Sequence, residues 1–132
     1  MTNIQCIYHG DGQTSLKHSV NNVEIRTDLP PDNGGQGRQF SPTDLFASSL
    51  AACAVTIMGK MAESQGKSIT GTTIDIDKQM AANPRRVAKI SVKFTFPDSV
   101  EPDDRKKYLA TFNVCPVHNS LDKAVEVEIT SN

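Results

Sequence analysis

Hydrophobic residues recur at every second position in two separate parts of the chain, which is the spacing of strands with one buried face. Near the N-terminus, three short segments with this alternation are separated by turn residues at positions 10–12 and 21–22. They predict a meander of three antiparallel strands. The longest alternating segment covers residues 88–96. Cys6 lies in the first strand, and because free cysteines are among the most buried residues, we expect Cys6 in the core.

A central helix is predicted for residues 41–60, SPTDLFASSLAACAVTIMGK, and it carries Cys53. Ser41 is a favourable N-cap, Pro42 suits the first helical position, and Asp44 completes a pattern typical of a capping box. Nearly every later side chain up to position 58 is apolar or small, whereas a surface helix would also carry a polar face. We therefore expect this helix to be buried.

The segments on either side complete an α+β pattern. Residues 29–39 contain two prolines and three glycines, so they are predicted to form a loop, and this loop carries Arg38. After the central helix come a strand over residues 72–80, the strand over 88–96, two short helices and a closing strand over 125–129. The order β-β-β-α-β-β-α-α-β in 132 residues predicts a single α+β domain, residues 1–132.

The charges are nearly balanced, since 14 Lys and Arg residues face 15 Asp and Glu residues, for a net charge of −1. This balance argues against nucleic acid or an anionic membrane as the main partner. No leader-like segment is visible, and the apolar part of the central helix falls short of the ~20 residues of a membrane span, so we expect a cytoplasmic protein. Three cysteines without Cys-x-x-Cys spacing and three scattered histidines predict neither a disulfide framework nor a metal site.

No Walker loop, G-x-G-x-x-G, H-E-x-x-H or G-x-S-x-G motif occurs, so no cofactor is expected. Cys53 and Cys115 on two predicted helices instead suggest peroxide reduction, in which one thiolate becomes a sulfenic acid and the second thiol closes a disulfide. Cys115 precedes Pro116 at a helix start, where the helix dipole would lower its pKa below ~8.5. An arginine such as Arg38 would hold the peroxide. A cysteine hydrolase using Cys115 and His118 is an alternative without an evident orienting acid.

Two motifs carry a resemblance to a known family. The stretch SPTDLFASSLAACAVTIM and the stretch CPVHNSLDKAVEVEI, which begins at Cys115, resemble the OsmC/Ohr family of osmotically inducible and organic hydroperoxide resistance proteins. The resemblance implies antiparallel sheets around a long buried central helix, in an intertwined homodimer. It also implies that Cys53 is the peroxidatic and Cys115 the resolving cysteine, and that a dithiol on a lipoylated partner protein reduces the disulfide.

The sequence departs from the family pattern at the helix start. Thr43 stands where the active peroxidases carry a glutamate, and Asp44 is the nearest carboxylate, as in the OsmC-like branch of the family. Either Arg26 or Arg38 matches the family's catalytic arginine, and Arg38 is preferred because it lies in the loop before the helix. Thr43 also favours an alternative function, an OsmC-like dimer without efficient peroxidase activity that binds a small apolar ligand.

Overall fold

The computed structural model describes residues 3–121 and 124–132, so Asp122 and Lys123 of the second family motif lie outside the described residues. The chain divides into an N-terminal unit ending at Phe46 and a C-terminal unit from Ala47 to Asn132. Each unit is described by itself below. The single domain expected from the length stays a prediction.

The N-terminal unit contains a three-stranded antiparallel sheet. Its strands are β1 (Ile4–Gly10), β2 (Gln13–His18) and β3 (Glu24–Asp28), in the order β1-β2-β3. The β1–β2 turn is tight because Asp11 and Gly12 both adopt positive φ, which glycine and aspartate tolerate better than most residues. The predicted meander is confirmed.

One face of this sheet is apolar and exposed. Cys6 pairs with Leu16, which in turn pairs with Ile25, so the three side chains lie on the same face. Ile4 and Tyr8 flank Cys6 on that face, and Tyr8 is 68% exposed. We call these five residues the apolar face. The prediction that Cys6 is a core residue is wrong, because the face on which it lies remains exposed in the single chain.

The chain then passes through a loop with one 3-10 turn, Pro31–Asn33, and enters helix α1 (Pro42–Ser64). The capping box is confirmed: the Asp44 N–H donates to Ser41 Oγ at 3.0 Å, and the Ser41 N–H donates to Asp44 Oδ2 at 2.9 Å. Gly66, in a left-handed conformation, follows the helix end. The helix is therefore four residues longer at its C-terminal end than the predicted 41–60.

Only one face of α1 is buried, so the expectation of a fully buried helix is wrong for the single chain. The buried residues are Ala47, Leu50, Ala51, Ala54, Met58 and Ala62. Phe46, by contrast, is 42% exposed. The expectation that the helix falls short of a membrane span is wrong by length and composition, because Pro42–Ser64 is long and apolar enough, a test that core helices of soluble proteins also pass. Its small and apolar buried face contributes to the hydrophobic core instead.

The C-terminal unit combines a second sheet with two further helices. Its strands are β4 (Thr73–Ala81), β5 (Arg86–Thr95) and β6 (Glu126–Ser131), in the order β4-β5-β6. Between β5 and β6 lie α2 (Pro102–Ala110), the 3-10 turn Thr111–Val114 and α3 (Pro116–Ser120). The α+β class and the element order are confirmed. The sheet is mixed rather than purely antiparallel, because β6 runs parallel to β5.

The core of the C-terminal unit is built on the alternation in β5. Ile90, Val92 and Phe94 are fully or almost fully buried, whereas Lys93 between them faces outward. The Phe94 ring stacks on Phe96 with centroids 6.1 Å apart. This apolar cluster also includes the residues that follow α2, and it surrounds the candidate site.

Candidate functional site

Cys115 is held at the junction of the 3-10 turn and α3. It is the N-cap of α3 in an extended conformation, and Pro116 takes the first helical position, as predicted. The side chain is completely buried. The backbone N–H groups of Val117 and His118, two of the free amides at the start of α3, lie near its sulfur and favour the charged form of the thiol, but they make no side-chain cap hydrogen bond with it.

Cys53 meets Cys115 across the core. Cys53 lies on α1, is half-buried and packs against the hydrophobic cluster that contains Cys115. The two side chains interact, since the contact with Cys53 raises the pKa of the Cys115 thiol. Two thiols far apart in sequence are thus brought together, one reachable from solvent and the other enclosed. This arrangement can support transfer of oxidation from the accessible sulfur to the buried one.

Burial raises the pKa of the Cys115 thiol above its ordinary value. The amides of His118 and Val117 act in the opposite direction, while the contact with Cys53 raises the pKa further. The prediction of a lowered pKa at this helix start is therefore wrong. The amides are present, but α3 is only five residues long and the apolar surroundings outweigh them.

His118 shares the turn with Cys115. Its ring packs edge-on against Phe112, with centroids 4.7 Å apart. Its Nδ1 atom is buried and has no hydrogen-bonding partner among the described residues. From the sequence, His118 was considered only as a residue of the alternative cysteine hydrolase. Neither spacing nor residue type indicated that its ring nitrogen is buried.

Arg38 belongs to the N-terminal unit, where two aspartates hold its guanidinium. Its Nε donates to Asp28 Oδ2 at 2.7 Å and Nη2 donates to Asp28 Oδ1 at 3.2 Å, which makes a bidentate pair. Nη1 donates to Asp11 Oδ2 and Nη2 also donates to the Asp11 carbonyl, both at 3.1 Å. We call these three residues the arginine clamp.

Asp28 is the member of the clamp that sequence reasoning missed. It is completely buried, and it also accepts the backbone N–H groups of Leu29 and Arg38. The side-chain hydrogen bond from Arg38 lowers its pKa from 3.8 to about 2, and the same pair raises the pKa of Arg38. The sequence feature that could have identified Asp28 is an acidic residue at a strand end. It lies ten positions before an arginine in a loop rich in turn residues.

The remaining predicted site residues occupy exposed or capping positions of the N-terminal unit. Arg26 pairs with Glu24 at 3.1 Å on the exposed side of β3. Thr43 Oγ1 lies 3.2 Å from Ser41 Oγ, and Asp44 closes the capping box. The structure thus brings Cys53 and Cys115 together, and it places Arg38 in the clamp. Within residues 3–121 and 124–132, no three His, Cys, Asp or Glu side chains are grouped to hold a metal ion.

Comparison with known proteins gives one family and a consistent fold. A family profile described as OsmC-like protein matches residues 35–130. A protein from Psychrobacter arcticus 273-4, described as an osmotic stress induced and detoxification response protein, is 40% identical. Its structure superposes with a TM-score of 0.94, covering 100% of this chain and 96% of that chain. No curated protein matches the sequence.

More distant solved structures share the fold alone. The organic hydroperoxide resistance protein OsmC of Legionella pneumophila is 18% identical with a TM-score of 0.79, covering 100% of this chain and 96% of that chain. The organic hydroperoxide resistance protein OhrB of Bacillus subtilis is 14% identical with a TM-score of 0.72, covering 100% and 98%. The full-length coverage confirms that the two motifs and the strands around them belong to one known architecture.

Proposed function

The chain belongs to the OsmC-like protein family, and from that membership and its thiol pair we propose that it is a thiol peroxidase for organic hydroperoxides. The observation that carries the proposal is the contact between half-buried Cys53 and enclosed Cys115, which lie in the same hydrophobic cluster. A peroxide can reach the first sulfur, and the second is already in position to react with its oxidised form. Names of fold relatives such as the Legionella pneumophila protein support the substrate class.

The proposed cycle has three steps. The Cys53 thiolate attacks one oxygen of the hydroperoxide, the O–O bond breaks, and the alcohol leaves while Cys53 becomes a sulfenic acid. Cys115 then attacks the Cys53 sulfur, which forms the disulfide and releases water. A dithiol, such as the lipoyl group of a partner protein, reduces the disulfide and is itself oxidised to its cyclic disulfide. We propose organic rather than hydrogen peroxide because Cys53 packs against the apolar cluster.

Arg38 is the arginine we assign to the peroxide site, in preference to Arg26. A guanidinium that binds peroxide oxygens must be held in one orientation, and the arginine clamp does this through Asp28 and Asp11. The Arg26 side chain is 66% exposed and pairs with Glu24, whose side chain is itself 41% exposed. The same clamp also favours the second candidate function. In this alternative, the aspartates engage the donors of the Arg38 guanidinium, and Thr43 stands in place of a glutamate. The protein would then bind a small apolar ligand without efficient peroxidase activity.

We propose that the protein is cytoplasmic and forms a homodimer. The apolar face exposes Ile4, Tyr8 and Ile25 to the extent of 50% or more, which is unfavourable for a soluble monomer. Light scattering should give the mass of two chains, each of 14.3 kDa. Tyr8→Lys should yield monomers, while Gln5→Lys on the opposite face should not. A wild-type monomer would contradict the proposal.

Steady-state turnover tests the function itself. Purified protein should consume cumene hydroperoxide with dihydrolipoamide as reductant, and faster than it consumes hydrogen peroxide. Cys53→Ser and Cys115→Ser should each lower this turnover by at least about a hundredfold, since each removes an obligatory sulfur. Cys6→Ser is the matched control and should keep wild-type turnover. Undiminished turnover in Cys53→Ser would contradict the role of Cys53 as the peroxidatic residue. No turnover in the wild type would decide against the peroxidase in favour of the ligand-binding protein.

A further inference from the structure

The two sulfurs of the thiol pair differ in their access to solvent. Cys53 is half-buried on α1, whereas Cys115 has no exposed surface. The two side chains are already in contact in the reduced protein, so a disulfide between them can form without opening the hydrophobic cluster around Cys115. In that disulfide Cys53 is therefore the outer sulfur and Cys115 the enclosed one.

Access determines where a thiol can attack a disulfide. The attacking thiolate must reach one sulfur from the side opposite the bond that breaks, so exchange depends on which sulfur is open to approach. Cys115 lies in the hydrophobic cluster together with Phe112 and Tyr108, both almost fully buried. A reductant could reach Cys115 only after this packing had opened, whereas it can reach Cys53 in the folded protein.

The basicity of the departing sulfur acts in the opposite direction, but its effect is smaller. A thiol of higher pKa is a poorer leaving group, and burial raises the pKa of Cys115. Exchange rates vary by only about threefold per unit of thiol pKa. The amides of Val117 and His118 also favour the charged form of the Cys115 sulfur. Access to the sulfur therefore decides the direction of attack.

We infer that the reductant attacks Cys53 of the disulfide and that Cys115 is the leaving sulfur, an inference that rests on the proposed peroxidase function. A thiolate of the dithiol bonds to the Cys53 sulfur, and the Cys53–Cys115 bond breaks. Its electron pair stays on Cys115, which takes up a proton. The second thiol of the dithiol then attacks its neighbouring sulfur in the mixed disulfide. This step closes the cyclic disulfide of the oxidised dithiol and releases Cys53 as a thiolate.

One opening thus serves both halves of the cycle. The hydroperoxide oxidises Cys53 and the dithiol reduces Cys53, each from the solvent side of α1. Cys115 exchanges only with Cys53 and never meets a reactant from solution.

Trapping the mixed disulfide of a monothiol tests the direction of attack. All proteins carry Cys6→Ser, because the exposed Cys6 would also react. Diamide, which oxidises neighbouring thiols without peroxide chemistry, first closes the Cys53–Cys115 disulfide. Excess 2-mercaptoethanol is then added, and samples taken within milliseconds to seconds are quenched in acid, which stops exchange by protonating thiolates. Digestion with pepsin in acid and mass spectrometry locate the attached mercaptoethanol.

The mercaptoethanol should be attached to Cys53, at least about tenfold more often than to Cys115, because access controls the exchange. Attachment to Cys115, or to both cysteines equally, would overturn the inference.

A pair of bulky substitutions tests the same point through rates. Thr56 is exposed on α1, three residues after Cys53, and Val114 is 64% exposed directly before Cys115. Thr56→Trp should slow reduction of the diamide-formed disulfide by dihydrolipoamide by about tenfold, because it narrows the approach to Cys53. Val114→Trp is the matched control and should leave the rate unchanged. Slower reduction in Val114→Trp alone would contradict attack at Cys53.

The oxidant used to close the disulfide separates this inference from the proposed function. If one equivalent of cumene hydroperoxide leaves both thiols free but the diamide-formed disulfide opens at Cys53, the peroxidase proposal fails and the direction of attack stands. If the hydroperoxide closes the disulfide and mercaptoethanol is found on Cys115, the peroxidase stands and this inference fails. If diamide also leaves both thiols free, there is no disulfide for a reductant to open, and both proposals fail.

Discussion

The two compact units bury opposite kinds of side chain. Among residues 47–121 and 124–132 of the C-terminal unit, the buried residues are apolar apart from Asp104. In residues 3–46 the buried side chains are all polar, namely Ser15, Thr27, Asp28 and Ser41, while Ile4, Tyr8 and Ile25 are exposed. One unit is held by packing and the other by hydrogen bonds and an ion pair. Both cysteines of the proposed peroxidase lie in the packed unit, where burial controls which of them is accessible.

This difference explains two features of the candidate site. In the apolar unit, the feature that needs an explanation is a buried polar atom without a hydrogen-bonding partner among the described residues, the Nδ1 atom of His118. In the N-terminal unit, an exposed apolar surface is the feature that needs an explanation, and a second copy of the chain would cover it. The arginine clamp gives the loop between β3 and α1 a fixed form without a hydrophobic core.

The largest effect should come from the packed unit. Phe94 is completely buried in the cluster against Phe96, so Phe94→Ala removes many contacts and leaves a cavity. We expect the free energy of unfolding to fall by ~3–5 kcal/mol in urea denaturation. Val20→Ala, at a position 76% exposed in the N-terminal unit, should change it by less than ~0.5 kcal/mol. Equal losses in the two variants would contradict the division into packed and hydrogen-bonded units.

Asp28→Asn tests the polar unit through pH. The clamp lowers the pKa of Asp28 from 3.8 to about 2, so the native state holds this carboxylate charged more strongly than the unfolded state. Its stabilisation is complete above about pH 4 and disappears as the pH falls towards 2. At neutral pH, the melting temperature of the wild type should exceed that of Asp28→Asn by several degrees. This difference in melting temperature should decrease below about pH 4.

Asp11→Asn is the control for that prediction. Asp11 contacts the same guanidinium, but its side chain is 65% exposed, and exposed ion pairs contribute little to stability. Its melting temperature should stay close to that of the wild type at every pH. A constant gap between wild type and Asp28→Asn from neutral pH down to about pH 2 would show that the buried pair is not the titrating element.

The smallest effect concerns the start of α1. Ser41→Ala removes the oxygen that accepts the Asp44 N–H, and loss of such a cap costs ~1 kcal/mol. Ser41→Thr keeps the hydroxyl and should recover most of that loss. Urea denaturation of both variants measures the difference. If Ser41→Ala were as stable as the wild type, the capping box would not contribute to the free energy of unfolding.

Patterns that depend on neighbouring residues were readable from the sequence. The alternation in β5, the capping box at Ser41 and the position of Cys115 before Pro116 follow from local chemistry, and all three are confirmed. The two family motifs correctly indicated the fold. The meeting of Cys53 and Cys115 could be expected only through the resemblance, because spacing along the chain does not determine distance in space.

Features that depend on burial were not readable. Cys6 and the outer face of α1 are exposed because the single chain leaves those surfaces uncovered, whereas composition alone predicts burial. The pKa of Cys115 is raised because apolar neighbours outweigh two helix amides, and the sequence shows only the helix start. The role of Asp28 was not predicted for the same reason, because an aspartate at a strand end is usually solvated.

Trapping the first oxidation product tests the central claim most directly. Cys115→Ser is treated with one equivalent of cumene hydroperoxide in the presence of dimedone, which captures sulfenic acids, and the modified residue is located by peptide mass spectrometry. The account predicts one dimedone adduct, on Cys53, and in the wild type a Cys53–Cys115 disulfide with no adduct. An unmodified Cys53, or an adduct on Cys6 alone, would contradict peroxide reduction at the thiol pair.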